Sequence, residues 1–397
     1  MKIFEKLPHF DFMKWKGLAL SISWGIIVLC FLWVRPWNAS HVKLGMQFIG
    51  GNDMTVRFAE VKSPEPVRQA LADAGFPGAS VVAYGSSAGV QDFAIKVKAR
   101  QGGDLKDSTK QSDELRAVFR KMDQGALPSL NLEGPANLAD RLIKANPLAA
   151  PGDAEALKAV YQPMADRLVS GREKLPAGIY RNFDELPSDV PSAVRDLVKK
   201  EYRTGGIAIL KNESFSPSIS GEWTAKTLKA VFGSMALILL YVMFRFTTSF
   251  AIGGIVALVH DLLMALGLFA LFGYEFNVPV VASFLTLLGY SMADTIVVFD
   301  RIRENSHKPE YRRRTVSDLV NDSINQTLSR TILTSCSVLF VSMCLWLLGG
   351  PALKDLAFPL VVGVITGTYS SIYIASPVVV YWEKWFPSKE NLKQKHA

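Results

Sequence analysis

The sequence predicts a helical membrane protein, six transmembrane helices with one α+β domain set between the first and the second. Three observations carry that reading. The 397 residues are 49% hydrophobic and only 20% charged, too apolar for an ordinary soluble domain and too charged to lie wholly in a bilayer. The apolar residues gather into six runs over 17–34, 227–244, 250–272, 278–299, 331–348 and 360–382, each about as long as a helix that crosses the hydrocarbon core. Their spacing is uneven: one run, a long polar stretch, then five on short connections. The expected layout is an N-terminal segment over 1–16, a first span over 17–34, an aqueous domain over 35–222, a five-helix bundle over 223–385 and a tail over 386–397.

Lys and Arg collect in loops that stay in the cytoplasm. Here Lys2, Lys6, Lys14 and Lys16 precede the first run, Arg245 follows the second, and Arg301, Arg303, Lys308 and Arg312 to Arg314 follow the fourth. Both termini and the loop after the fourth run are therefore expected in the cytoplasm. The large domain and the turns "GYEFN" and "GGPALKD" are expected outside it. Much of the net charge of +8 is this bias, so no nucleic-acid partner is expected. Cys30, Cys336 and Cys344 all fall in apolar runs, which leaves the aqueous domain without thiols for a disulfide or a zinc site. The first run is long for a signal peptide and "RPWNASHVK" after it lacks a small-x-small cleavage site, so it is expected to remain as an anchor. The "NAS" triplet at Asn38 matches a glycosylation sequon and carries little weight alone.

In the aqueous domain, "MTVRFAE", "ASVVAYG" and "QDFAIKVKA" alternate as strands do. A helical stretch "SPEPVRQALADAG" follows the first of them, with Ser63 as its expected cap and Pro64 in its first turn. "GIAILKN" reads as a last strand before "SPSISGEW". The order suggests an antiparallel sheet with helices on one face, a ferredoxin-like α+β domain. Over about 100–200 the composition turns helical and charged, which reads as an insertion into that smaller unit. "GSSAG" at Gly85 to Gly89 fits the nucleophile-elbow pattern, but a strand follows it rather than a helix. The only His in the domain, His41, lies upstream, so the plain reading is a hairpin turn. There is no G-x-x-x-x-G-K-[ST] and no H-E-x-x-H. The chain is expected to hydrolyse no nucleotide and to need no cofactor or metal.

The apolar runs themselves hold polar residues. Positions three and four apart share a helix face, which aligns Ser283, Thr286, Tyr290 and Asp294 in the fourth run and Arg330, Thr334 and Ser337 at the fifth. His260 and Asp261 interrupt the third; Thr366, Ser370 and Tyr373 lie in the sixth, beside Gly363 and Gly367, whose spacing lets helices approach closely. The plain reading is a set of buried pairs that hold the bundle together, with Arg330 reaching to the interface. A short acid cannot reach far, and Asp at a span centre costs about 2.5–3.5 kcal/mol on insertion. Asp294 is therefore expected to do chemistry. Paired with an Arg it stays charged; unpaired and buried it can take up a proton, so an Asp and an Arg that separate and rejoin make a proton relay.

"ADTIVVFDRIREN", then "VNDSINQTLSRTILTS" after a basic loop, closely resembles the SecF family of bacterial protein-export subunits. "HDLLMALGLF", "FIGG" and "SPSISGEW" match further markers, so the resemblance covers all six runs and the edges of the aqueous domain. It implies a half bundle like those of the RND transporter superfamily and pairing with the related subunit SecD. It further implies work with the Sec translocon channel on preproteins, driven by the proton-motive force, in the inner membrane among its lipids. It maps the family's proton-pathway residues onto Asp294 and Arg330 and its marker loop onto Phe48, Gly50 and Gly51; from the polar stripes themselves, Tyr290, Thr334, His260 and Asp261 are expected as supporting intramembrane groups. Three departures stand out: Ala293 where Asn is common, Gln47 where the family has an acid, and the insertion. An RND-like exporter of a lipid or small molecule is the alternative function, and it would want an apolar pocket in the aqueous domain. A passive scaffold would leave the polar stripes unexplained.

Overall fold

The computed structural model describes residues 9–34, 43–61, 63–87, 89–100, 105–311 and 313–386. Asn38 and His41 lie outside the described residues. A 3-10 turn, Phe12–Trp15, leads into α1 (Lys16–Val34), followed by β1 (Lys43–Leu44), the single turn α2 (Met46–Ile49) and β2 (Gly51–Phe58). Then come α3 (Glu65–Asp73), β3 (Ser80–Ser87), β4 (Val90–Lys98), α4 (Leu105–Met122), α5 (Pro135–Ala145), α6 (Ala154–Gly171), α7 (Ser192–Glu201) and β5 (Ile207–Phe215). The chain ends with α8 (Pro217–Arg245), α9 (Thr248–Leu271), β6 (Glu275–Phe276), α10 (Val278–Ser306), α11 (Val316–Leu348), α12 (Gly350–Ser370), a π turn (Ser371–Ala375) and α13 (Ser376–Trp385). These form two compact units, residues 46–223 and the rest.

The second of these units is a membrane bundle. Its candidate spans run Phe12–Trp33, Pro217–Arg245, Thr248–Leu271, Val278–Ser306, Val316–Leu348 and Leu353–Trp385, one for each apolar run of the sequence. The fifth departs most from expectation. Its helix begins about four turns before the apolar run, at a capping box in which Thr315 and Asp318 each bond the other's backbone N–H. The polar stretch is helical because its side chains are satisfied within the unit: Asn321 Oδ1 accepts from Phe12 N at 2.8 Å, and Asn305 Nδ2 donates to Ser323 Oγ at 2.9 Å. α9, α10 and α12 bury half or more of their span residues and form the interior, whereas α8 and α11 bury few.

Hydrogen bonds mark the two ends of this bundle. At one, Phe10 N bonds Asn325, His9 bonds Asp322, and Arg245 reaches Asp300. At the other, β1 pairs in parallel with β6, and Trp346 Nε1 donates to Tyr274 OH at 2.9 Å. The ends of the first and third spans thus share a side, as alternate crossing requires.

In the other unit, an antiparallel sheet of order β3-β4-β2-β5 carries α3 and α4 on one face. Val67 and Leu71 of α3 and Leu115, Val118 and Phe119 of α4 pack with Met54, Val56, Phe93 and Ile95 of the strands. The cap of α3 falls at Pro64 with no side-chain hydrogen bond, one residue after the expected Ser63. Ser86 and Ser87 of "GSSAG" pair with Gln91 and Val90 at the ends of β3 and β4, as in a hairpin. A boundary at residue 100 would cut α4 out of the sheet's core. The separate helical cluster begins at Leu130 and gathers Leu138, Tyr161, Leu168, Tyr180 and Val194. It is stitched to the sheet by buried polar groups: Arg172 donates to Asn131 O at 2.5 Å and to Ile209 O at 2.8 Å, and Asn131 bonds the backbone of Tyr180 and Gly205.

Candidate functional site

The polar groups of the bundle meet because its interior helices come unusually close. On α12, a Cβ at Gly367 would stand 3.1 Å from Ser291 Cβ, and one at Gly363 would collide with the Leu287 side chain of α10. On α9, a Cβ at Gly253 would stand 2.9 Å from Ala375 O. Small residues therefore bring α9, α10 and the α12 segment within reach of one another's short hydroxyls, which is what the Gly363/Gly367 spacing leads one to expect.

Two carboxylates lie in this interior. His260 and Asp261 are fully buried at the middle of α9. Asp261 Oδ1 accepts from His260 Nδ1 at 2.9 Å, and its Oδ2 accepts from Ser291 at 2.5 Å and from Ser370 at 2.6 Å. The other ring nitrogen, His260 Nε2, meets Ser23 Oγ of α1. The rings of Trp24 and Tyr369 flank the imidazole at 5.8 and 6.4 Å. Four helices thus supply one network, and each of its polar atoms has a partner, as burial in hydrocarbon demands.

Asp294 is treated differently. On α10 and 7% exposed, it accepts one well-formed hydrogen bond, from Ser371 Oγ at 3.0 Å. Thr331 of α11 lies beside the carboxylate, yet its buried Oγ1 completes no aligned hydrogen bond. Arg330 acts on the acid only from a distance, and among the described residues no cation is in ion-pair contact with Asp294. One turn away, Tyr290 OH donates to Ser335 Oγ at 2.9 Å, and Ser335 meets Thr368 Oγ1 at 2.7 Å, a hydroxyl chain that joins α10, α11 and α12.

The structure therefore brings together Asp294, Tyr290, His260 and Asp261 and sets two other candidates apart. Arg330 and Thr334 lie on the exposed face of α11, because the turn that buries Thr331 and Ser335 turns their neighbours outward. Arg330 sits inside the 33-residue α11, immediately before its apolar run begins. Thr286 is exposed and bonds its own helix at Ala282 O, so the expected stripe on α10 is narrower than drawn. Gly50 and Gly51 take φ of 84° and 142°, which only glycine adopts at ease, and carry the chain from α2 into β2. A Cβ at Gly51 would stand 2.9 Å from Lys98 Cα. Half-buried Phe48 precedes them, so the marker loop is a junction between α2 and β2 in the aqueous unit. Ser23, Ser291, Ser335, Thr368 and Ser371 were not legible as site residues.

Comparison with known proteins supplies the lineage. Residues 195–385 match the family model described as "Protein export membrane protein SecD/SecF, C-terminal". A protein named protein translocase subunit SecF from Koribacter versatilis is 34% identical over 388 residues, 97% of this chain and 94% of that one. A protein translocase subunit SecDF from Thermus thermophilus is 44% identical over 47% of this chain and 25% of its own length. The crystal structure of SecDF, a translocon-associated membrane protein from Thermus thermophilus, superposes with a TM-score of 0.61 at 27% identity, over 95% of this chain and 39% of that one. A protein with six membrane-crossing helices, this architecture and a SecF relative matched almost end to end, the chain belongs to the SecF family of protein translocase subunits.

Proposed function

We propose that this subunit pairs with a SecD partner in the bacterial inner membrane and assists the Sec channel in exporting preproteins, drawing on the proton-motive force through Asp294. The observation that carries the reading is the contrast in the bundle: a buried acid with one firm donor, an idle hydroxyl beside it and a cation one residue from that hydroxyl on the outward face of α11. When ionised, Asp294 can draw in both Ser371 and Thr331. When it has taken up a proton, Ser371 can return to Thr368 O. Arg330 favours the charged state whenever it approaches. A subunit that has to match proton entry to movement needs such a two-state acid, and a purely structural one does not. SecD is the natural partner because relatives carry both parts in one SecDF chain.

The Lys/Arg bias supports cytoplasmic termini and an extracytoplasmic 46–223 unit. Cysteines introduced at Glu155 and at Glu310, in a background without the native three, test it: an impermeant thiol reagent should label the first in intact cells and not the second. For the function, depletion of this subunit should leave unprocessed preproteins at the membrane. Normal maturation of secreted proteins after depletion would contradict the proposal.

A further inference from the structure

Two serines adjacent in the chain serve different acids. Ser370 donates to Asp261 Oδ2 and Ser371 to Asp294 Oδ2. Each hydroxyl has one proton and a second acceptor on its own helix, Gly367 O at 3.2 Å for Ser370 and Thr368 O at 2.9 Å for Ser371. Each can therefore turn from carboxylate to carbonyl without losing a hydrogen bond. They sit where α12 gives way to the π turn Ser371–Ala375, an irregularity of the kind found at functional sites. Pro377, just after it, has no N–H to offer the preceding turn, and Ser376 Oγ donates to Ser371 O at 2.7 Å.

The His260–Asp261 pair has room for a proton. Three donors point at the oxygens of Asp261, as suits a carboxylate rather than an acid. With Nδ1–H given to Asp261, His260 Nε2 accepts from Ser23. If Nε2 took a proton, Ser23 would become the acceptor and the pair would be neutral overall, with no contact broken. Among the groups packed around it, α1 contributes Ser23 and Trp24, which do not titrate. The titratable neighbours are Tyr369, with Tyr373 against it at 5.2 Å, and Asp294 of α10 by way of the serine pair.

We propose that His260 and Asp261 form a second proton-holding site, coupled to Asp294 through Ser370 and Ser371, so that the charge of one site sets the readiness of the other to take a proton. This rests on Asp294 as a group that exchanges a proton. The test uses the purified full chain in lipid nanodiscs and the infrared band of a protonated carboxyl, assigned to Asp294 by its loss in Asp294→Asn. Asp261→Asn removes a negative charge, so the pH at which half the band has appeared should fall by about one unit, a tenfold change in proton affinity. Ser370→Ala weakens Asp261 as an anion and should move it the same way by less, whereas Ser370→Thr, which keeps the hydroxyl, should leave it in place. An unchanged midpoint in both Asp261→Asn and Ser370→Ala would overturn the coupling, and if Asp261→Asn does not fold, the two Ser370 variants decide alone. Absence of any Asp294 band in the parent protein would sink the reading of Asp294 and the coupling with it.

Discussion

Asp261 and Asp294 occupy the same bundle, one on α9 and the other on α10, and the helices treat them in opposite ways. Asp261 is held by an imidazole and two hydroxyls fixed on its oxygens. Asp294 keeps one serine and a threonine that faces it without bonding. A buried acid held by several donors ties its helices together and stays an anion, so that a proton arriving there goes to the imidazole rather than to the carboxylate. An acid left short of donors can change its charge with little disturbance around it. The comparison separates an acid held by three donors, which also ties helices together, from one with a single firm donor, although both are Asp in a membrane span.

That contrast can be broken by substitution. Asp261→Leu should have the largest effect on stability, about 3–5 kcal/mol, since it strands His260 Nδ1 and Ser291 in an apolar interior while only Ser370 has its own carbonyl to turn to. Asp294→Leu should lose about 1 kcal/mol or less, because Ser371 can return to Thr368 O. Unfolding of the two variants in mixed micelles gives the ratio, and equal losses would erase the distinction. Next comes Gly363→Val, which drives a branched side chain into Leu287. It should cost about 1–3 kcal/mol and loosen both sites together, seen as parallel loss of stability and gradient-dependent export. Arg330→Lys keeps the charge without the planar fork; it should lower gradient-dependent export partway while leaving unfolding near the parent's. Thr334→Ala should be the mildest, within about 0.5 kcal/mol, because Thr334 is exposed and its hydroxyl bonds only its own helix at Arg330 O and Thr331 O.

The bundle was largely legible in the sequence because apolar runs of span length leave little else for a chain to do. Asp294 stands out in the sequence because a short acid in such a run has few ordinary uses, and the fold does bury it. Other features were not legible. The start of α11 is too polar for a hydropathy window, and its helix depends on Asn321, Asn305 and Ser323 finding partners across the fold. The serines escaped notice for a different reason. A Ser or Thr in a span can always satisfy itself on the carbonyl one turn back, as Ser337 does with Leu333 O and Thr286 with Ala282 O. Ser291 and Ser370 reach across to Asp261 instead, and only the close approach of the backbones decides which happens. The aqueous unit shows the same limit. Its strands alternate clearly, but nothing in α4 says that Leu115 and Phe119 face the sheet rather than the helical cluster after it.

The central claim is that Asp294 must change charge for the subunit to use the proton gradient. The most direct test compares Asp294→Glu with Asp294→Asn at matched membrane levels, reading preprotein export with and without a proton gradient. Asparagine is nearly isosteric with aspartate and can still accept from Ser371, so assembly should survive. Asp294→Asn is expected to lower gradient-dependent export to that of membranes lacking the subunit, while Asp294→Glu, which still exchanges a proton, keeps a measurable part of it. Equal gradient-dependent export from the two variants would contradict the account and leave Asp294 a packing residue like any other in the span.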